Sequence, residues 1–207
     1  MKRVPLFCSA TMLLIGCGTA LAGGGPLGID HQLNRQDSGI WKRSTQNAVL
    51  GLAVSAEVAA ALWEGGDSRL GKALWQSVDS TVLASATAGA GKLVFGRVRP
   101  TDTTDPNKWF QSGKNYSFPS GEVSAMAGMV TPFILEYRHD YPIVYALELL
   151  PAYEAVARLK VRAHWQSDVL AGWALGTAAG YYAHSRDMPF ILGALPGGFM
   201  VGMRKKW

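Results

Sequence analysis

Long stretches of small and apolar residues, separated by short polar, Gly- and Pro-containing breaks, divide the chain into helices. Over residues 40–63 small and apolar side chains dominate. Glu57 interrupts the run 48–63, so this stretch predicts a helix buried in a globular core rather than a membrane span, which needs ~20 apolar residues in succession. Gly65-Gly66-Asp67-Ser68 stops that helix and offers a cap to the next. Residues 69–99 predict one long helix or two in line, and the Ala- and Gly-rich part 84–91 lets a neighbouring helix approach closely. The polar stretch 101–116, with Asp102, Asp105, Pro106 and Lys114, predicts a long loop, a kind of segment that is often functional and here is expected to rim a site. Helices are predicted again over 121–136, with Pro132 as a possible kink, over 143–158, and over 164–184. In the last of these Gly172, Gly176 and Gly180 recur at every fourth position, a bare stripe suited to tight packing. Residues 189–195 and 198–203 flank Pro196-Gly197 and predict a short hairpin. The expected fold is therefore all-α: a compact helical bundle with a short C-terminal hairpin.

Composition sets the frame around these elements. The 207 residues are 48% hydrophobic and 17% charged, enough for one domain with a sizeable core. Lys2 and Arg3 precede a mostly apolar run 4–15 and the small-residue end Ala20-Leu21-Ala22, which together read as an export signal over residues 1–22. Leu14-Ile15-Gly16-Cys17 also suits a lipoprotein signal, in which case residues 1–16 are removed and Cys17 carries the lipid. Either way the protein is expected outside the cytoplasm, in the periplasm, without an internal disulfide, because Cys8 and Cys17 are its only cysteines. Residues 23–39 are Gly-rich and polar and predict a loose arm before a helical domain over 40–207. The net charge of +5, with no long Lys/Arg run, no aromatic-basic interleaving and no zinc spacing, argues against nucleic acid. It is compatible with a phosphorylated substrate or with peripheral contact to an anionic membrane, for which Arg204-Lys205-Lys206-Trp207 is a candidate.

Three stretches concentrate chemistry. His164 and Asp168 are four residues apart, one turn on a shared helix face, so the carboxylate can orient the imidazole and leave its other nitrogen free to attack. Arg158 upstream adds a planar fork of donors for an oxyanion, and Arg162 is a further cation in the linker. Lys92 and Arg99 are seven apart, close to two turns, which puts both cations on one face before Pro100. Phe118-Pro119-Ser120-Gly121-Glu122 opens a helix with Ser120 as N-cap, and the N–H groups there suit an anion. No metal-ligand spacing and no cofactor motif accompanies them.

The ordered set resembles the three signature motifs of the type 2 phosphatidic acid phosphatase superfamily, which includes bacterial acid phosphatases and vanadium haloperoxidases. Lys92, Arg99 and Pro100 match the first motif; Pro119, Ser120 and Gly121 match the second; Arg158, His164 and Asp168 match the third, with Ala157 in place of its serine. The resemblance implies a metal-independent phosphatase. In it Lys92, Arg99, Ser120, Gly121 and Arg158 bind the phosphate of a phosphomonoester or diphosphate, lipid-linked substrates included. His164, held by Asp168, forms a phosphohistidine. The second motif ends in histidine, where this chain has Glu122. Three uses of Glu122 are open: an acid with a raised pKa, a bystander to a good leaving group such as diphosphate, or part of a site that binds an oxyanion without turning it over. The alternatives to the phosphatase are thus a non-catalytic oxyanion-binding member and a vanadium haloperoxidase.

Overall fold

A computed structural model describes residues 23–113 and 116–186. The export signal with Cys17, Lys114, the C-terminal hairpin and the basic tail lie outside the described residues. Five helices form the domain: α1 (Arg43–Glu64), α2 (Arg69–Phe95), α3 (Gly121–Tyr137), α4 (Leu149–Lys160) and α5 (Gln166–His184). Among the described residues there is no strand, only isolated bridges between Gly24 and Asp30 and between Val98 and Tyr116. The protein is an all-α bundle.

The centre of the bundle is α3, which packs against α2, α4 and α5. Its residues 123–132 are all buried, including Pro132, and the helix runs unbroken through that proline. The glycine stripe of α5 meets it as expected. A Cβ at Gly172, Gly176 or Gly180 would lie 2.5 Å from the Ser120 carbonyl oxygen, 2.2 Å from that of Ser124 and 2.4 Å from the Thr131 Cβ. The absent side chains are what let the two backbones touch, and that contact carries the start of α3 to the start of α5. Ser68 caps α2, its Oγ accepting the Gly71 N–H at 2.9 Å.

Several predicted elements are corrected. Residues 143–158 are not one helix: a 3-10 turn, Pro142–Glu148, precedes α4. Pro151 lacks the N–H that would bond back one turn, so the α-helix settles only where Pro151 falls in its first turn. The arm 23–39 is not loose but tied along the bundle, Gln32 donating to the Pro100 and Thr103 carbonyls and the Gln36 N–H to the Lys160 carbonyl.

The largest correction concerns α1, which was expected to be buried. It packs mainly on α2 and buries only Gln46, Glu57 and Ala61, whereas Leu52, Val58, Leu62 and Trp63 are exposed. Its polarity is inverted because Glu57, the residue that interrupts the apolar run, turns inward. There it accepts hydrogen bonds from Ser77 Oγ at 2.5 Å and Thr81 Oγ1 at 3.0 Å, and burial pushes its carboxyl pKa up. By length and composition α1 could also cross a membrane.

Candidate active site

The ends of α2 and α4 and the starts of α3 and α5 bring the three motif stretches together. α2 stops at Phe95 because Gly96 takes a left-handed conformation (φ 48°), where a side chain would also meet the Gln111 carbonyl oxygen at 2.8 Å. Lys92 is therefore on the last turn of α2 while Arg99 lies beyond it, and the two cations share the site through this reversal rather than through one helix face. Lys92 Nζ donates to the Pro119 carbonyl at 2.6 Å. Arg99 Nη1 donates to the Ala163 carbonyl at 2.7 Å and stands 3.3 Å from His164 Nε2. Burial, and then the charge of Arg99, lower the Lys92 pKa to about 8.

His164 is also off the helix. α5 begins at Gln166, and Asp168 sits in its first turn, its Oδ2 accepting the Trp165 N–H at 2.8 Å. A carboxylate in the first helical turn takes an otherwise unbonded N–H, and this local demand sets where α5 starts. The His164 Nδ1 faces Asp168 Oδ2 at 3.7 Å, an ion-pair distance rather than a hydrogen bond. Nε2 stands between Arg99 Nη1, which can only donate, at 3.3 Å and the carboxylate Oε2 of Glu122, which can only accept, at 3.5 Å. Burial raises the Asp168 pKa, but the facing imidazole, Arg97 and the Trp165 N–H outweigh it and hold the carboxylate below its usual range.

Ser120 precedes α3, but its N–H is taken by the Asp168 carbonyl at 3.0 Å, so that group is not a free anion donor. Its buried hydroxyl has no partner among the described residues. Gly121 lies against the Lys92 chain, where a Cβ would be 3.7 Å from Lys92 Cε. Arg158 on α4 is buried, with Nη1 donating to Gln46 Oε1 at 2.7 Å and Nη2 standing 3.4 Å from Glu122 Oε1.

Glu122 is the anion of the cluster. Its Oε1 accepts from Arg43 Nη2 at 3.1 Å, and its Oε2 lies 3.5 Å from His164 Nε2. Burial alone would raise its pKa; the imidazole of His164, then a backbone N–H and last the guanidinium of Arg43 outweigh it, holding the carboxyl well below the usual range. In this arrangement Glu122 is ionised at neutral pH and is not an acid with a raised pKa. Glu154, one turn before Arg158, takes the opposite course. At 4.0 Å from an arginine already engaged with Gln46 and Glu122, it is pushed up to about 7 by burial and then by the Glu122 charge.

Further residues of the site had no motif to announce them. Arg97 is buried, pairing with Asp168 Oδ1 at 2.5 Å and Asp30 Oδ2 at 2.6 Å, and its guanidinium stacks 4.3 Å from the Trp109 ring. Arg43 and Gln46 come from the first turn of α1. Arg162 does not join the cations; its Nε donates to the Leu33 carbonyl of the arm at 2.7 Å. Trp109 of the loop 101–116 packs edge to face with Phe95 at the end of α2 and with Phe118 before α3, at 6.2 and 5.1 Å. Among the described residues no group of three His, Cys, Asp or Glu side chains could hold a metal ion.

Comparison with known proteins places this geometry. The profile of the PAP2 superfamily matches residues 73–188, more than half of the chain. The chain belongs to the PAP2 superfamily. The PAP2 match spans every motif residue from Lys92 to Asp168 and leaves the arm and α1, with Asp30, Arg43 and Gln46, outside. Two curated relatives are similar. A lipid A 1-phosphatase of Porphyromonas gingivalis is 32% identical over 119 residues, 57% of this chain and 24% of the relative. An undecaprenyl-diphosphatase of Sulfolobus acidocaldarius is 29% identical over 102 residues, 48% of each. The chain thus spans about a quarter and about half of the length of these two PAP2 relatives. No solved structure gives a significant match.

Proposed function

We propose that this PAP2 protein is an exported phosphatase that hydrolyses a phosphomonoester or diphosphate carried on a lipid, through a phosphohistidine at His164. The observation that carries the reading is the position of His164 Nε2, 3.3 Å from Arg99 and backed by an ionised Asp168, with the half-buried Lys92 and the buried Arg158 in the same cluster. Nε2 attacks phosphorus in line as the bond to the leaving oxygen breaks. Lys92, Arg99, Arg158 and the Ser120 hydroxyl hold the equatorial oxygens, where charge concentrates in phosphoryl transfer. Water then attacks the phosphohistidine, breaking the P–N bond and releasing phosphate. An ionised Glu122 suits this second step, in which it takes the proton of the attacking water. The first step then favours a leaving group that departs as an anion, as the phosphate of a diphosphate does. Side chains supply all the positive charge these steps use.

The lipid-linked substrate class is supported by the names of both relatives and by the surroundings of the cations. A cleft of about 310 Å³ runs from Lys92 and Glu122 along Leu50, Gly89 and Ala125 between α1, α2 and α3. Leu93 and Val94, which follow Lys92 on α2, and Phe110 of the loop are exposed. These side chains, and Leu52, Leu62 and Trp63 on the outer face of α1, are exposed apolar surface suited to peripheral membrane contact; release of the mature chain from membranes by a high-salt wash would exclude a hydrophobic attachment. Export through residues 1–22, or lipidation at Cys17, completes the proposed location.

One observation favours a second reading, oxyanion binding without turnover: Glu122 already occupies the cationic cluster as an anion. Turnover decides between them. Purified protein is assayed from about pH 4 to about pH 8 on a soluble phosphomonoester and on a prenyl diphosphate in micelles, beside His164→Ala. The phosphatase predicts hydrolysis reduced about 10³-fold or more in the variant. Equal rates overturn the nucleophile, and phosphate binding with no hydrolysis in the native protein selects the second reading.

A further inference from the structure

The first turn of α1 reaches into the phosphate site from outside the PAP2-matched segment. Arg43 and Gln46 are three residues apart and face the same cluster. Gln46 is buried and holds Arg158 Nη1 at 2.7 Å, while its own amide donates to the Trp41 carbonyl at 2.6 Å. Arg43 is half exposed and donates to Glu122 Oε1 at 3.1 Å. The same oxygen stands 3.4 Å from Arg158 Nη2, and the other carboxylate oxygen 3.5 Å from His164 Nε2. Glu122 is therefore shared between one cation at the rim and two groups that an incoming phosphate needs.

The charges explain why the rim cation matters. A carboxylate among Lys92, Arg99 and Arg158 lowers the positive charge of the site by one and competes with phosphate for Arg158 and His164. An arginine on that carboxylate restores the charge and takes a share of the oxygen that also faces Arg158. Resting on the phosphatase reading above, we propose that Arg43 is the charge partner of Glu122, and that the pair together fill the place where the motif has a single histidine. Arg43 acts through Glu122 as a positioning residue of the phosphate site. It follows that the phosphate affinity of this chain depends on a helix its PAP2 match leaves out.

A double-mutant cycle on the full mature chain tests the pair, with binding of inorganic phosphate measured by calorimetry and turnover measured alongside. Arg43→Ala is expected to weaken phosphate binding roughly tenfold, the size of one charge-assisted contact. In a Glu122→Gln background, where no anion needs compensation, the same change is expected to cost less than about threefold. Arg43→Lys is expected to recover most of the native affinity, because it keeps the charge. Equal losses in both backgrounds would mean that Arg43 acts independently of Glu122, and no loss in either would mean that it does not act on the site; both overturn the proposal. Coupling seen in melting temperature but not in phosphate affinity would reduce the contact to a structural ion pair and overturn it as well. A native protein that neither binds phosphate nor hydrolyses either substrate sinks the phosphatase reading itself, and the pair proposal that rests on it.

Discussion

Lys92 shows how a single residue's surroundings set a limit on the whole site. Burial and the Arg99 charge lower its pKa to about 8, so near neutral pH it is charged and above that value it loses its proton. On the proposed function, a bound phosphate needs the charged form. Affinity for inorganic phosphate is therefore expected to fall as pH rises through about 8, and Lys92→Arg, which holds its charge, should move that alkaline limb upward. A phosphate titration at stepped pH checks both; identical limbs would free Lys92 of the role. Residue types and spacing were enough to mark Lys92, Arg99, Arg158, His164 and Asp168 as a set, since only certain side chains bind or attack a phosphoryl group. What they left open was Glu122. Its ionisation depends on the distances to His164 and Arg43, and Arg43 lies 79 residues away in the chain.

At the scale of elements, apolar stretches between polar breaks located the five α-helices of the described residues but misjudged ends and faces. His164 and Asp168 have the spacing of one helical turn, yet Asp168 uses a carboxylate oxygen to cap Trp165, so the helix starts after His164. Local hydrogen-bond demands decide such boundaries, and apolar spacing does not register them. The glycine stripe was legible because close packing leaves a direct mark on composition. Gly176→Ala would put a Cβ 2.2 Å from the Ser124 backbone oxygen, which cannot step aside without moving α3. A loss of ~1–3 kcal/mol is expected, read as a lower denaturant midpoint. Gly51→Ala in α1 meets nothing within 4 Å and should instead stabilise by ~0.5–1 kcal/mol. If both variants shift the midpoint alike, the α3–α5 contact is looser than described.

Across the whole molecule, Arg97 joins the arm to the end that carries the three motifs. It binds Asp30 from the arm and Asp168 from α5, both without solvent, and the Pro106 carbonyl from the loop. Asp30→Ala would leave Arg97 short of one buried counter-charge. Removing one member of such a pair costs ~3–5 kcal/mol. The expected result is a lower melting temperature together with weaker phosphate binding, because Asp168 shares the same guanidinium; a melting temperature unchanged from native would refute the anchoring role of the arm. From residues 23–39 alone the arm read as loose, since Gly and polar residues mark a break whether or not the tertiary structure pins them. The sequence by itself determined the helical class, the PAP2 motif residues and their order, because periodicity, small-residue stripes and phosphate-binding side chains are local properties. Tertiary structure alone decided which way α1 faces, where the arm is held and what charge Glu122 carries. Each of these depends on burial and on partners distant in the chain, and no local pattern encodes those distances.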